Sequence, residues 1–369
     1  MNSILKPLAI AVLAGASSLA LGQSTASRSA QNIALQDTFD HIDAQVHRLS
    51  HAGRDIYYID EGTQRDRPVV FISGQGTSLE AFQLTEFARS SRQALGLRVI
   101  AVERNGFGAS TFDPKLGYAD YSKEVLAVLD HLGIDKFVVM AISGGGAYAA
   151  HLATAAPQRV ISLHLGAAVS ATVPGGSKPS YCGMDLQQMR QASTKYTHHP
   201  MDWWTVFRSP TQAVPGWQAR AFTDATRAFY LSGQLGSPDA LAHENLLPCA
   251  PDSSADLSHL KAPAFLYYGE KDEVVKPEQM QQWKKALPNV RKATLYPGEG
   301  HATQYRHWVQ ILADMAGYDN YTVVCRDGKT KLIANDAVRK DERLDLCAWP
   351  KDDDANTNSG KRTATESQR

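Results

Sequence analysis

One stretch restricts the architecture of this chain more than any other. Phe137-Val138-Val139-Met140-Ala141-Ile142 runs into Ser143-Gly144-Gly145-Gly146, and Ala147-Tyr148-Ala149-Ala150 follows. The β-branched apolar run reads as a buried strand and the alanine-rich run as a helix. A serine between them stands on a sharp strand-to-helix turn. That turn forces it into a sparsely populated backbone region with positive φ. Its neighbours two positions away must be small because strand and helix nearly touch there, which Ala141 and Gly145 satisfy. The Ser143 hydroxyl then projects from the top of a sheet, and the N–H of Gly144 faces the same space.

The rest of the chain supplies the elements such a turn needs. Val46-His47-Arg48-Leu49 and Ile56-Tyr57-Tyr58-Ile59 flank His51-Ala52-Gly53-Arg54 and read as a hairpin. Val69-Val70-Phe71-Ile72 and Val99-Ile100-Ala101-Val102 read as buried parallel strands. Helical patterns cover residues 79–94 and 121–132. After Val160-Ile161-Ser162-Leu163-His164-Leu165 the alternation stops at about residue 171, and Pro, Gln, Trp and Gly become common. It resumes with Ala264-Phe265-Leu266-Tyr267-Tyr268, a helix near 277–286, the strand Ala293-Thr294-Leu295-Tyr296 and a helix over 303–315. Strands alternating with helices predict an α/β fold, a mainly parallel sheet with helices on both faces and an inserted helical cap. The expected organisation is an export signal over 1–22, an N-terminal arm over 23–43 and a core of 44–170 with 261–317. A cap over 171–260, an extension over 318–350 and a disordered tail over 351–369 complete it.

A serine hydroxyl needs a base to take its proton, and the base needs an acid to hold its tautomer. In a parallel sheet these groups belong at the carboxyl ends of strands. Gly269-Glu270-Lys271-Asp272-Glu273 places three carboxylates in one strand-end loop. Asp272 is the expected acid, with Glu270 and then Glu273 as alternatives. His301, in Pro297-Gly298-Glu299-Gly300-His301, is the expected base. Ser73-Gly74-Gln75-Gly76-Thr77 follows the Val69 strand, and the N–H of Gln75 is expected to join that of Gly144 as an oxyanion donor. One such donor is worth about 2.7–4 kcal/mol of barrier in a well-studied protease.

Ala141-Ile142-Ser143-Gly144-Gly145, Gly269-Glu270-Lys271-Asp272 and Gly300-His301 resemble the nucleophile, acid and base motifs of the α/β-hydrolase superfamily. Glu103-Arg104-Asn105-Gly106-Phe107-Gly108-Ala109-Ser110 is similar to its acid-x-Arg-Gly-x-Gly-x-Ser loop. The resemblance runs from about residue 46 to 315, cap excepted. Ala141 stands where the family has its first elbow glycine, and Ser73 where it has a histidine. The resemblance implies a serine hydrolase acting on an ester-like small molecule, a carboxylic ester or lactone, through an acyl-enzyme with no metal or organic cofactor. A proline-type aminopeptidase is the alternative within the fold, and a small-molecule binding protein the alternative outside catalysis. Arg104 and Asn105 are expected to brace the loop near the site, and Glu299 lies close enough to tune His301. Trp203 and Trp204, with Trp217, either line the substrate pocket or form the core of the cap. The His198-His199 pair is not expected to hold a metal.

Lys+Arg and Asp+Glu balance at 38 each, with no basic stripe or acidic block, so a nucleic-acid partner is not expected. Lys6 followed by the Ala-, Gly- and Ser-rich apolar run 8–21, with Ala20-Leu21-Gly22 at its end, reads as an export signal. The run is too short and weakly apolar to span a bilayer comfortably, so stable membrane insertion is not expected. Four cysteines then fit disulfides in a secreted or periplasmic protein. Pairing Cys182 with Cys249 and Cys325 with Cys347 would staple two local segments.

Overall fold

Eight strands form the central sheet: β1 (Val46–His51), β2 (Arg54–Glu61), β3 (Arg67–Ile72), β4 (Leu97–Val102), β5 (Phe137–Ile142), β6 (Val160–Gly166), β7 (Ala264–Gly269) and β8 (Val290–Tyr296). Their spatial order is β1-β2-β4-β3-β5-β6-β7-β8. β2 pairs antiparallel with both neighbours, and every pair from β4 to β8 is parallel. The structure is a computed structural model that describes residues 30, 33–35, 44–176, 178–198 and 237–349, with backbone alone for 194–198. The segment 1–22, Trp203, Trp204, Trp217, His199 and the tail 351–369 lie outside the described residues, as does the side chain of His198.

Continuous apolar strands are explained by burial on both faces. Alternate residues of β3 and β5 diverge to opposite sides. Val69, Phe71, Val138, Met140 and Ile142 join one apolar cluster, and Val70, Ile72, Phe137, Val139 and Ala141 join the other. The first cluster is covered by a 3₁₀ segment (Leu79–Ala88), α1 (Arg89–Ala94) and, later in the chain, the helix at Trp308–Ala316. The second is covered by α2 (Tyr118–His131), α3 (Gly145–Ala155) and a helix at Glu278–Ala286. Trp283 and Trp308 are fully buried, one on each side. Each large side chain so placed contributes roughly 1.5–3 kcal/mol.

The cap interrupts the core between β6 and β7. Its described helices, α4 (Leu186–His198) and α5 (Pro238–Leu246), pack against each other. Cys182 precedes α4 and Cys249 follows α5, and the two are disulfide-bonded, closing the 67-residue excursion at its base. After the cap come α6 (Glu278–Ala286), α7 (Thr303–Arg306) and α8 (Trp308–Ala316).

Four local readings change. The helix expected over 79–94 is mostly 3₁₀. The Leu79 N–H donates to Glu103 Oε1 at 3.0 Å and Thr85 Oγ1 to the Phe82 carbonyl at 2.7 Å, bonds that compete with a regular α ladder. The helix expected over 303–315 breaks at His307, whose ring stacks on Tyr296 at 3.6 Å between centroids and pairs with Glu299 and Asp345. The N-terminal arm, expected from its composition to be a polar stretch, buries Ala30, Ile33 and Leu35 in the first cluster. The extension forms a second sheet, β10-β9-β11, from β9 (Tyr321–Arg326), β10 (Lys329–Ala334) and β11 (Arg343–Leu344). The Cys325–Cys347 disulfide is internal to it. The extension docks on the core through the apolar side chains of Val323, Leu332, Leu346 and Trp349 and through polar contacts of Val323 with Gln310 and of Asp345 with His307.

Candidate active site

Ser143 occupies the turn between β5 and α3 with φ +51°. The strain is held by its surroundings: the Ser143 N–H donates to the Gly166 carbonyl at 3.1 Å, and its carbonyl accepts from Val169 N–H at 2.8 Å. A Cβ on Gly145 would fall 2.6 Å from the Ile72 carbonyl oxygen, so the helix can start here only with glycine at that position. α3 therefore begins against the end of β3, with its positive end toward the serine.

Three strand-end loops meet at the hydroxyl. His301, between β8 and α7, places Nε2 3.1 Å from Ser143 Oγ. Its Nδ1 lies 2.8 Å from Asp272 Oδ2. The other carboxylate oxygen of Asp272 accepts the N–H groups of Val274 and Val275 at 2.8 and 2.9 Å. With that carboxylate unable to donate, the Nδ1 proton belongs on the Asp272 side and leaves Nε2 free to accept from the serine. Asp272 is 3 % exposed. Glu270 points elsewhere, accepting the Gly298 N–H at 2.9 Å in solvent, and Glu273 is exposed. The acid and base loops are laced together by the Lys271 N–H bonded to the Glu299 carbonyl at 2.7 Å.

Gln75 faces Gly144 across the site. A Cβ on Gly144 would lie 2.9 Å from the Gln75 nitrogen and 2.5 Å from its Cβ. Neither of these two N–H groups has an acceptor among the described residues. Arg104, buried, holds this loop: Nη2 donates to the carbonyls of Gly74 at 2.7 Å and Thr77 at 2.5 Å. Burial, the largest single influence, works against its charge, but Glu244, Tyr148, Tyr121 and Glu103 together outweigh it and raise its pKa. Asn105 does not touch the loop; it clamps Asp113 through that residue's carbonyl and N–H at 2.7 and 2.9 Å. Glu103, fully buried, has its carboxyl pushed up to about 8 by desolvation. Glu299 bonds Thr303 and His307 rather than the ring of His301.

The hydroxyl opens into a cavity of about 590 Å³. Phe71, Ala81, Leu84, Ile142 and Tyr305 give it apolar walls, and Met184, Met189 and Leu241 contribute from the cap. None of its lining residues among those described is Lys, Arg, Asp or Glu. Trp203, Trp204 and Trp217, read as lining either this pocket or the core of the cap, lie outside the described residues. Sequence reading did not single out Glu244 and Asn245 on α5, nor Tyr181, although all three reach the Gln75 loop. A charged residue in a short helix of weak periodicity carries no local mark of burial. Among the described residues no group of His, Cys, Asp or Glu side chains is arranged to hold a metal ion.

Residues 69–314 match the alpha/beta hydrolase family. A bifunctional esterase/perhydrolase of Acinetobacter calcoaceticus is 25% identical over 264 residues, covering 68% of this chain and 90% of that protein. The dihydrolipoyllysine-residue acetyltransferase component of the acetoin cleaving system of Pseudomonas putida is 36% identical over 114 residues. That match covers 31% of this chain and 30% of the relative's length. The enol-lactonase of Burkholderia xenovorans superposes with a TM-score of 0.57 at 16% identity, over 73% of this chain and 100% of its own, a likeness of fold.

Proposed function

The chain belongs to the α/β-hydrolase family, and on that premise we propose that it is a secreted or periplasmic serine hydrolase of neutral carboxylic esters or lactones. The observation that carries this reading is the relay of Ser143, His301 and Asp272, at 3.1 and 2.8 Å, opening into an uncharged cavity. His301 takes the Ser143 proton as Oγ attacks the carbonyl carbon. Asp272 stabilises the imidazolium, and the N–H groups of Gln75 and Gly144 receive the oxyanion. The tetrahedral intermediate collapses as His301 protonates the leaving alkoxide. Water, deprotonated by His301, then releases the acid from the acyl-enzyme. His301 must be neutral to act as base, so acid should inhibit turnover.

A relative named as an esterase supports ester cleavage, and a pocket without charged lining residues supports an uncharged acyl group. Residues 44–170 and 261–317 would form the catalytic core, and 171–260 the cap that bounds the substrate. Two disulfides and the signal-like residues 1–22 support export. No described helix is long and apolar enough to cross a membrane. The test is labelling by a fluorophosphonate, together with turnover of p-nitrophenyl esters, lactones and aminoacyl arylamides. Labelling lost in Ser143→Ala with ester turnover dominant is expected. Faster arylamide cleavage would favour the peptidase, and folded protein that never labels would favour a binding protein.

A further inference from the structure

Glu244 lies on α5, which the chain reaches only after the cap excursion, yet its side chain is 4 % exposed and sits against the loop after β3. Its Oε2 accepts the N–H of Gly76 at 2.6 Å. Its Oε1 is 2.8 Å from Arg104 Nη1, a charge contact rather than an aligned hydrogen bond. The same guanidinium reaches the carbonyls of Gly74 and Thr77 through Nη2. Next to Glu244, Asn245 Oδ1 accepts from Gln75 Nε2 at 2.5 Å, and Asn245 Nδ2 donates to Ser193 Oγ on α4 at 3.2 Å. Backbone groups of residues 74, 76 and 77 and the side chain of 75 are thus all tied down, while the Gln75 N–H has no acceptor among the described residues. Two of the ties come from the cap.

A buried ion pair is a poor source of net stability, since desolvation offsets most of its attraction. Its geometric effect is larger, because it sets where a backbone donor points. We propose that Glu244 is a positioning residue for the oxyanion hole, so that the Gln75 N–H is aimed at the reacting carbonyl only when α5 is seated on the core. This rests on the serine-hydrolase reading above. A displaced cap helix frees the Gly76 N–H and leaves the Arg104 charge without its partner. The loop then loses its conformation, and the Gln75 N–H is no longer aimed at the carbonyl. The cap thereby does more than bound the substrate.

The experiment compares wild type, Glu244→Ala, Glu244→Gln and Asn245→Ala in kcat and KM for p-nitrophenyl butanoate. It adds inhibition by an alkyl trifluoromethyl ketone, whose adduct with Ser143 carries the oxyanion. Misaiming a catalytic group by about 1 Å costs on the order of 100-fold, so Glu244→Ala should lower kcat by about 10- to 100-fold. KM should stay within about threefold, and ketone inhibition should weaken by the factor lost in kcat. Glu244→Gln should recover part of the loss, because an amide oxygen still accepts from Gly76. Folded Glu244→Ala with kcat within about threefold of wild type overturns the proposal, as does lost kcat with unchanged ketone inhibition. If Glu244→Ala does not fold, Glu244→Gln and Asn245→Ala decide: ketone inhibition weakened in either supports it, and inhibition at the wild-type level in both refutes it. A wild type that neither turns over the ester nor labels at Ser143 defeats the serine-hydrolase reading instead.

Discussion

Raising the pH from 6 to 9.5 should cost this fold stability, with His307 a separable contributor. Its ring sits in the break between α7 and α8, with Nε2 2.8 Å from Glu299 Oε1 and Nδ1 2.6 Å from Asp345 Oδ2. Burial alone would lower its pKa, but the Asp345 and Glu299 carboxylates outweigh burial and push it up to about 9. The unfolded value is about 6.5. The native state therefore binds the proton more tightly than the unfolded chain. The stabilisation is complete below pH 6.5, falls as pH rises and is gone above 9. The span between the two values corresponds to about 3 kcal/mol. The imidazole side chain is only 9 % exposed, so solvent screens the pairs weakly. Glu103 adds a loss of the same sign, because burial holds its carboxyl at about 8 and ionisation favours the unfolded chain. The measurement must therefore be a difference: urea unfolding of wild type and His307→Gln at pH 6 and 9.5. Wild type should lose about 3 kcal/mol more than the variant over that interval. Equal losses in the two proteins would refute the reasoning.

Three further outcomes follow from the geometry. Asp272→Asn keeps one acceptor for the Val274 and Val275 N–H groups but presents the wrong partner to His301, so it should fold normally and lose about 10⁴-fold in kcat, read by ester turnover beside a thermal melt. Gly145→Ala drives a methyl to within 2.6 Å of the Ile72 carbonyl, and calorimetry should show a loss of about 1–3 kcal/mol or more with Ser143 labelling impaired. Replacing both Cys325 and Cys347 by serine opens a loop spanning 22 residues, which should cost about 3 kcal/mol on the chain-entropy account. Ser143 labelling should survive in that variant at temperatures where it stays folded.

Much of the sheet was readable from residue order because its signals are local. Val69 to Ile72, Val99 to Val102, Phe137 to Ile142 and Ala264 to Tyr268 are apolar runs that only a two-sided sheet can bury. The turn at Ser143 announces itself by its small neighbours, and the loops holding Asp272 and His301 follow strands directly. Residue order put Asp272 ahead of Glu270 and Glu273 by its place in the loop, and what holds that carboxylate inward is two backbone N–H groups at 274 and 275. The hairpin sheet of the extension was missed because its strands are only half-buried, so the continuous apolar run that marks the central strands is absent from them.

By itself, then, the order of amino acids determined the parallel α/β scaffold and the three side chains brought to one sheet edge, since periodicity and glycine placement act over a few residues. Only the tertiary structure decided that Glu244 and Asn245 return from the cap to hold the Gln75 loop, and that Asp345 reaches His307. The physical reason is that burial and pairing of a charge depend on groups far apart along the chain, and no local pattern records which distant partner will neutralise it.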